Sequence, residues 1–432
     1  MTSADPAPTG DPCFSVAAAN LVIGPGATRE LGDHAADLGL RRVLVVTDPR
    51  LREMEPVAIA LASLRAAGVD HAVWSEISVE PTDASFLAAA AFARDGHFDG
   101  YVAVGGGSAM DTAKAANLYA TWPDDLLRYV NAPSGAGAPP PGPLKPLIAL
   151  PTTSGTGSET TGVAIMNLPS LGVKTGIAHR RLRPTLGIVD PLSTLTLPPM
   201  VTAASGFDVL CHALEAYTAI RTTTRPVPER PSLRPAYQGA NPWSDQWSER
   251  AMEMAAGAIV RAVTDPSDVE ARTTMSLAAT YAGIGFGNAG VHLPHGMSYA
   301  ISGLVRDFRP AGYPDDHAIV PHGMSVILSA PAVFRWTAAA DPARHLRAAQ
   351  LMGADVRGAG PDDAGAILGD RIVELMRATG MPNGIGGVGY TEADAPALAE
   401  GTLPQHRVTK LAPRPASRED LAELFRAALR YW

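Results

Sequence analysis

The first 195 residues alternate short apolar runs with longer amphipathic ones, and this alternation restricts the possible folds more than any other feature of the chain. Val43-Leu44-Val45-Val46 is a β-branched run that stops at Thr47-Asp48-Pro49, and residues 51–67 then carry apolar side chains at helical spacing until Gly68. The cycle repeats with a strand-like stretch at 71–74 and a helical one at 83–95. Tyr101-Val102-Ala103-Val104 runs directly into Gly105-Gly106-Gly107-Ser108, a helical pattern follows over 110–119, and 146–150 reads as a further buried strand. Strands separated by helices of roughly 10–15 residues make βαβ units and a mostly parallel sheet. From Pro198 the pattern changes. Alanine-rich stretches at 203–219, 245–264, 269–285 and 362–379 have helical period, and strand candidates nearly vanish. The expected architecture is an α/β domain over residues 1–195 and an all-helical domain over 196–432. A Pro/Arg-rich loop at 222–243 has no element of its own, and loops of that length are usually functional or disordered.

Bulk properties narrow the class. A chain of 432 residues, 46% of them hydrophobic, can fill two or three cores. A formal charge of −8 gives no footing for a nucleic-acid groove or a basic membrane face. Two cysteines, Cys13 and Cys211, make no disulfide framework and suggest a reducing compartment. No apolar run reaches the roughly 18–20 residues needed to span a bilayer. The first dozen residues contain acid and no Arg or Lys, unlike a secretory or transit signal, so the expected location is the cytoplasm.

Two loops suit a dinucleotide. The triplet Gly105-Gly106-Gly107 with Ser108 ends a strand and opens a helix, where bare backbone N–H groups and the helix dipole attract phosphate. Asp48, ending an earlier strand, is the candidate for a ribose hydroxyl, although the usual fingerprint places that acid after the glycines. Pro151-Thr152-Thr153-Ser154-Gly155-Thr156-Gly157-Ser158-Glu159 also follows a buried strand and is dense in hydroxyls. It could hold the pyrophosphate or the nicotinamide ribose; equally, Ser158 could simply cap a following helix.

The second half carries metal-ligand chemistry. Asp208 and His212 stand four apart, on one helical face. Pro-His-Gly-Met-Ser occurs twice, at 294–298 and 321–325, and each copy reads as a helix start with histidine at the turn inward. His292, His295, His317 and His322 crowd into 31 positions. His295 and His322 are the favoured ligands with Asp208 and His212; His292 and His317 would support the site or face substrate, and His317 could also be a solvated loop residue. One carboxylate and three neutral imidazoles suit Fe2+ or Zn2+ with a coordination position to spare. Such an ion acts as a Lewis acid on an alcohol or carbonyl oxygen. Beside a dinucleotide, it points to hydride transfer.

Taken together, Gly-Gly-Gly-Ser-x-x-Asp-x-x-Lys at 105–114, Pro-Thr-Thr-x-Gly-Thr-Gly-Ser-Glu at 151–159, Asp-x-x-x-His-Ala-x-Glu at 208–215 and the two His-Gly sites resemble the iron-containing (group III) alcohol dehydrogenase family, over nearly the whole chain from Phe14. The resemblance implies an N-terminal α/β dinucleotide-binding domain and an all-α metal-binding domain, the fold shared with dehydroquinate synthase. It implies metal ligation by Asp208, His212, His295 and His322. It also implies cofactor contact by Asp48, Gly105, Gly106, Gly107, Ser108, Asp111, Thr152, Thr153, Thr156 and Lys174. NAD is expected rather than NADP, because Asp48 would repel a 2′-phosphate. Family members are commonly dimers or larger homo-oligomers, and neither nucleic acid nor membrane is an expected partner.

The stretches at 236–242, 283–292 and 401–415 are similar to one branch of that family. Its members oxidise 4-hydroxybutyrate to succinate semialdehyde and reduce 2-oxoglutarate to 2-hydroxyglutarate on a cofactor that stays bound. The alternative is a dehydrogenase acting on alcohols or semialdehydes that releases its cofactor. Many relatives keep a histidine four residues after the third ligand; here that position is Tyr299, a candidate proton carrier or a tyrosine packed against the cofactor. Carboxylate substrates need a cation, and the candidates are Arg234, Arg407, Lys410 and Arg414.

Overall fold

The computed structural model describes residues 10–432, so the first nine residues of the expected N-terminal domain lie outside the description. Six strands pair in parallel in the order β1-β8-β5-β4-β2-β3. They are β1 (Asn20–Ile23), β2 (Arg42–Val46), β3 (Asp70–Trp74), β4 (Gly100–Gly105), β5 (Leu147–Pro151) and β8 (Leu186–Val189). Two further strands, β6 (Val163–Leu168) and β7 (Val173–Ala178), form a separate antiparallel hairpin.

Helices α1 (Leu31–Asp37), α2 (Glu55–Ala66), α3 (Asp83–Gly96) and α4 (Gly107–Thr121) lie between the strands in sequence, followed by a single turn, α5 (Leu126–Tyr129). Successive strand residues point to opposite faces. Val43 and Val45 accordingly share one core with Leu31 of α1 and Val57 of α2, whereas Leu44 and Val46 share another with Ala89 of α3 and Met110 of α4. Burial on both faces is why β2 and β4 are unbroken apolar runs. The chain leaves β2 towards β3 on one side and returns to β4 on the other. Ligands bind such open sheets in the crevice outside the strand ends where the order reverses. Asp48 and the glycine triplet emerge at that crevice.

Beyond β8 no strand occurs among the described residues. The helices are α6 (Pro199–Thr218), α7 (Pro242–Thr264), α8 (Val269–Ala289), α9 (Leu293–Gly303), α10 (His322–Ile327), α11 (Ala330–Thr337), α12 (Pro342–Leu351), α13 (Ala364–Ala378), α14 (Ala395–Thr402), α15 (His406–Thr409) and α16 (Arg418–Ala427). Helix α6 is buried almost throughout and packs on α7, α8 and α10, as a helix apolar on all sides must. No described helix is long and apolar enough to cross a membrane. The 222–243 loop is tied down rather than free: the Gln238 and Gly239 N–H groups donate to the Asn288 and Ala289 carbonyls at 3.0 and 2.8 Å.

The segment after β5 differs from the expected helix cap. No helix follows Ser158; its hydroxyl donates to Asp111 at 2.8 Å and accepts from Lys114 at 2.5 Å. The Lys114 ammonium, fully buried, also donates to the Ser158 and Val163 carbonyls, both at 2.8 Å. It therefore pins α4 to the loop leading into β6. Burial pulls its pKa down to about 8 against the opposing pull of the Asp111 carboxylate. Replacing Lys114 with alanine strands two carbonyls and a buried carboxylate. The expected cost is about 3 kcal/mol or more, read as a lowered thermal unfolding midpoint of the variant.

Candidate active site

The metal-ligand chemistry gathers around one oxygen. The Nε2 atoms of His212, His295 and His322 lie 3.7, 3.5 and 3.7 Å from Asp208 Oδ1. Donor atoms of Asp208, His295 and His322 all fall within 4.8 Å of one another. Donors about 2.1 Å from a shared tetrahedral ion sit roughly 3.4 Å apart, so the spacing fits a divalent metal. Two of the atoms, Asp208 Oδ1 and His295 Nε2, are buried with no hydrogen-bond partner, a costly state that a cation relieves. Burial lowers His212 and His322 to about 3, so both rings are neutral and carry free lone pairs.

Local sequence explains the convergence. Asp208 and His212 stand one turn apart on α6, and Glu215 follows on the same face. The Glu215 carboxylate accepts the His292 N–H at 2.6 Å and the His295 N–H at 3.3 Å, and its other oxygen lies 2.6 Å from His295 Nδ1. A carboxylate on Nδ1 keeps the proton there and turns Nε2 towards Asp208. Phe286 of α8 stacks on the His212 ring at 3.9 Å between centroids. His292 stands behind the site, its Nε2 3.0 Å from the Thr218 hydroxyl. Cys211 packs in the helical core.

Each histidine of the duplicated motif is followed by a glycine for a different reason. A Cβ at Gly323 would press into the Ala204 carbonyl and lie 2.8 Å from Asp208 Cβ, so the bare backbone lets α10 close on α6. A Cβ at Gly296 would lie 2.7 Å from Thr409 Cγ2, so there the glycine lets α15 close on α9.

The metal-type cluster opens on a cavity of about 130 Å³ whose lining includes Gly107, Ser108, Asp111, Thr156 and Lys174 from the α/β half, and Tyr299 from α9. Glycine is needed at 107, where a Cβ would lie 2.8 Å from Thr156 Cγ2. Asp111 is also committed structurally, accepting the Ile165 N–H at 2.9 Å and the Ser158 hydroxyl. Gly105 and Gly106 lie at the strand end behind the cavity: the Thr152 N–H donates to the Gly105 carbonyl at 3.0 Å, and Thr153 faces Gly106. Asp48 accepts the Arg50 and Leu51 N–H groups at 2.9 Å, beside the glycine loop on the neighbouring strand. Lys174 pairs with Glu80 at 2.7 Å.

His317 is not brought to this place. Its ring pairs with Asp316 at 2.7 Å, half exposed, on the loop between α9 and α10, and it does not line the cavity. Crowding along the chain did not translate into proximity in space, because the turn at 315–317 is exposed even though Pro310, Ile319 and Val320 of the same loop are buried. Of the four candidate cations, Arg407 alone lines the cavity. Arg234 binds Asp11 at 2.8 Å, Arg414 lies over the Trp336 ring at 4.0 Å, and Lys410 is exposed. Glu215, Phe286 and Tyr237 join the site without having been expected there; of these, Glu215 was accessible as the seventh residue after Asp208 on one helical face. Replacing Glu215 with glutamine keeps the shape and removes the charge behind His295. The expected result is a 10- to 100-fold loss of divalent-metal affinity, measured by competition with a chelating dye.

Residues 18–191 match the family described as "Iron-containing alcohol dehydrogenase", and residues 236–429 match "Fe-containing alcohol dehydrogenase family, C-terminal". The chain is 54% identical over 426 residues to "Hydroxyacid-oxoacid transhydrogenase, mitochondrial" of Pongo abelii, covering 98% of this chain and 91% of that protein. Its identity to the Homo sapiens protein of the same name is 53%, with the same coverage. Among solved structures, a 1,3-propanediol oxidoreductase superposes with a TM-score of 0.84 at 30% identity, over 96% of this chain and all of the other. An alcohol dehydrogenase from Oenococcus oeni gives 0.83 at 28% identity, with the same coverage. The mitochondrial names of the relatives overturn the cytoplasmic expectation, since few cysteines and an acidic leading segment say nothing that separates one reducing compartment from another. The fold is the one expected, and the chain belongs to the iron-containing alcohol dehydrogenase family.

Proposed function

We propose that this chain is a hydroxyacid–oxoacid transhydrogenase, oxidising 4-hydroxybutyrate to succinate semialdehyde and reducing 2-oxoglutarate to 2-hydroxyglutarate. The observation that carries the reading is a buried Asp–His set opening on the same cavity as the glycine loop, in a chain 54% identical to a protein of that name. Asp208, His212, His295 and His322 would hold Fe2+, with Zn2+ the rival ion, and the residues from Asp48 to Lys174 named above would hold NAD in preference to NADP. When bound, the ion polarises a hydroxyl or carbonyl oxygen and the nicotinamide takes up and returns hydride.

The protein's own part is positioning and exclusion. Neutral imidazoles at His212 and His322 keep their lone pairs directed inward. Glu215 fixes the His295 ring. Phe286, Val291 and Ile165 form an apolar wall that keeps water from the reacting carbon. Tyr299, one turn after His295 on α9 and buried against the cavity, is placed to hold the proton that leaves or joins the substrate oxygen. A homodimer or larger assembly goes with the family reading.

Purified protein given 4-hydroxybutyrate and 2-oxoglutarate without added NAD is expected to form succinate semialdehyde and 2-hydroxyglutarate in equal amounts. NADH accumulating from added NAD, with no need for 2-oxoglutarate, would instead identify a dehydrogenase that releases its cofactor.

A further inference from the structure

We propose that Arg407 is the carboxylate anchor of the cavity, and that one guanidinium serves both the donor and the acceptor acid. The substrates named rest on the transhydrogenase reading; the anchor itself rests on the following geometry. Two cations line the cavity, Lys174 and Arg407. Lys174 is already matched by Glu80 at 2.7 Å. Arg407 has no carboxylate partner among the described residues, and its Nη1 is buried without a hydrogen bond. It lies over the Tyr237 ring, 4.9 Å from the centroid, with the Tyr237 and Tyr299 hydroxyls as its polar company. Arg225 and Lys410 add positive charge on the same side. A half-buried cation so placed is left short of an anion, and a carboxylate matches its planar fork.

Arg407 also stands in the wall between the main cavity and a recess of about 20 Å³, which Asn131, Ser134, Thr175 and Gln405 line with polar groups. That volume admits about one water or one carboxylate oxygen. The helix that carries Arg407 is fixed relative to the metal-type cluster. This short helix, α15, packs on α9 where Gly296 follows His295, and Gln405 donates to the Lys174 carbonyl at 3.3 Å.

A single cation suits this pair of acids in particular. In 4-hydroxybutyrate the carbinol carbon is three bonds from the carboxylate carbon, and in 2-oxoglutarate the keto carbon is three bonds from the distal carboxylate carbon. Three such bonds span at most about 3.8 Å, as between consecutive Cα atoms. One anchor therefore brings either reacting carbon to the same point, and donor and acceptor can use the site in turn.

The test compares wild-type holoenzyme with Arg407→Gln and Arg407→Lys. It uses kcat/KM for 4-hydroxybutyrate and for 1,4-butanediol, which replaces the carboxylate with a neutral hydroxymethyl, and the inhibition constant of succinate. The glutamine variant is expected to lose roughly 30-fold or more of its preference for the acid over the diol, and to bind succinate more weakly by a similar factor; lysine should recover part of both. Equal loss for acid and diol, or unchanged succinate inhibition, would overturn the anchor. If the glutamine variant does not fold, the lysine variant carries the same comparison, with selective loss for the acid expected and equal loss overturning it. Should wild-type enzyme fail to exchange the two acids while succinate inhibition still depends on Arg407, the anchor stands and the transhydrogenase reading falls. Exchange that proceeds with an unaltered acid preference in the variants leaves the transhydrogenase standing and overturns the anchor.

Discussion

The candidate site is arranged around a single buried carboxylate oxygen facing three imidazoles. Asp208 sits inside a helix that is apolar on nearly every side, where an unpaired charge is expensive. Two of the rings are held neutral by their own burial, so they offer lone pairs rather than counter-charges. A cation at its centre would satisfy Asp208 Oδ1 and His295 Nε2, both buried without a hydrogen bond. Such a cation would demand that α6, α9 and α10 meet at fixed distances.

The repeated His-Gly pairs meet that demand. At the second copy, the missing side chain of Gly323 lets α10 lie against the Asp208 turn, bringing His322 within reach. At the first, Gly296 lets α15 lie against α9, and this brings Arg407 to the cavity that His295 borders. The two copies look alike because each places a histidine at a close helix crossing. They differ in what crosses: one brings Asp208 to the histidines, the other brings Arg407 to the cavity.

How much of this could be read beforehand followed physical visibility along the chain. Strands β2, β4 and β5 were legible because burial on both faces leaves continuous apolar runs. Strand β1 is half exposed, β8 has only four residues, and β6 alternates in burial but carries Val163 and Ile165 on its outer face, so none gave a clear period. The Asp208–His212 pair was visible as a helical spacing, and Glu215 lay on the same face at the next turn. His317 was chosen from linear density, which an exposed turn at 315–317 makes meaningless. Arg407 could not be separated from Arg234, Lys410 and Arg414 by sequence, because only tertiary packing shows which cation lines the cavity. Location was illegible for another reason: cysteine count reports redox state, which different compartments share.

If the cavity works as proposed, hydride passes from one acid to the other without leaving the protein. The most direct test is to supply 4-hydroxybutyrate deuterated at its carbinol carbon with 2-oxoglutarate and an excess of unlabelled free NADH, and to locate the label by mass spectrometry. The deuterium is expected at the C2 position of 2-hydroxyglutarate, undiluted by the free NADH. Label diluted into the NADH pool would contradict transfer on a retained cofactor.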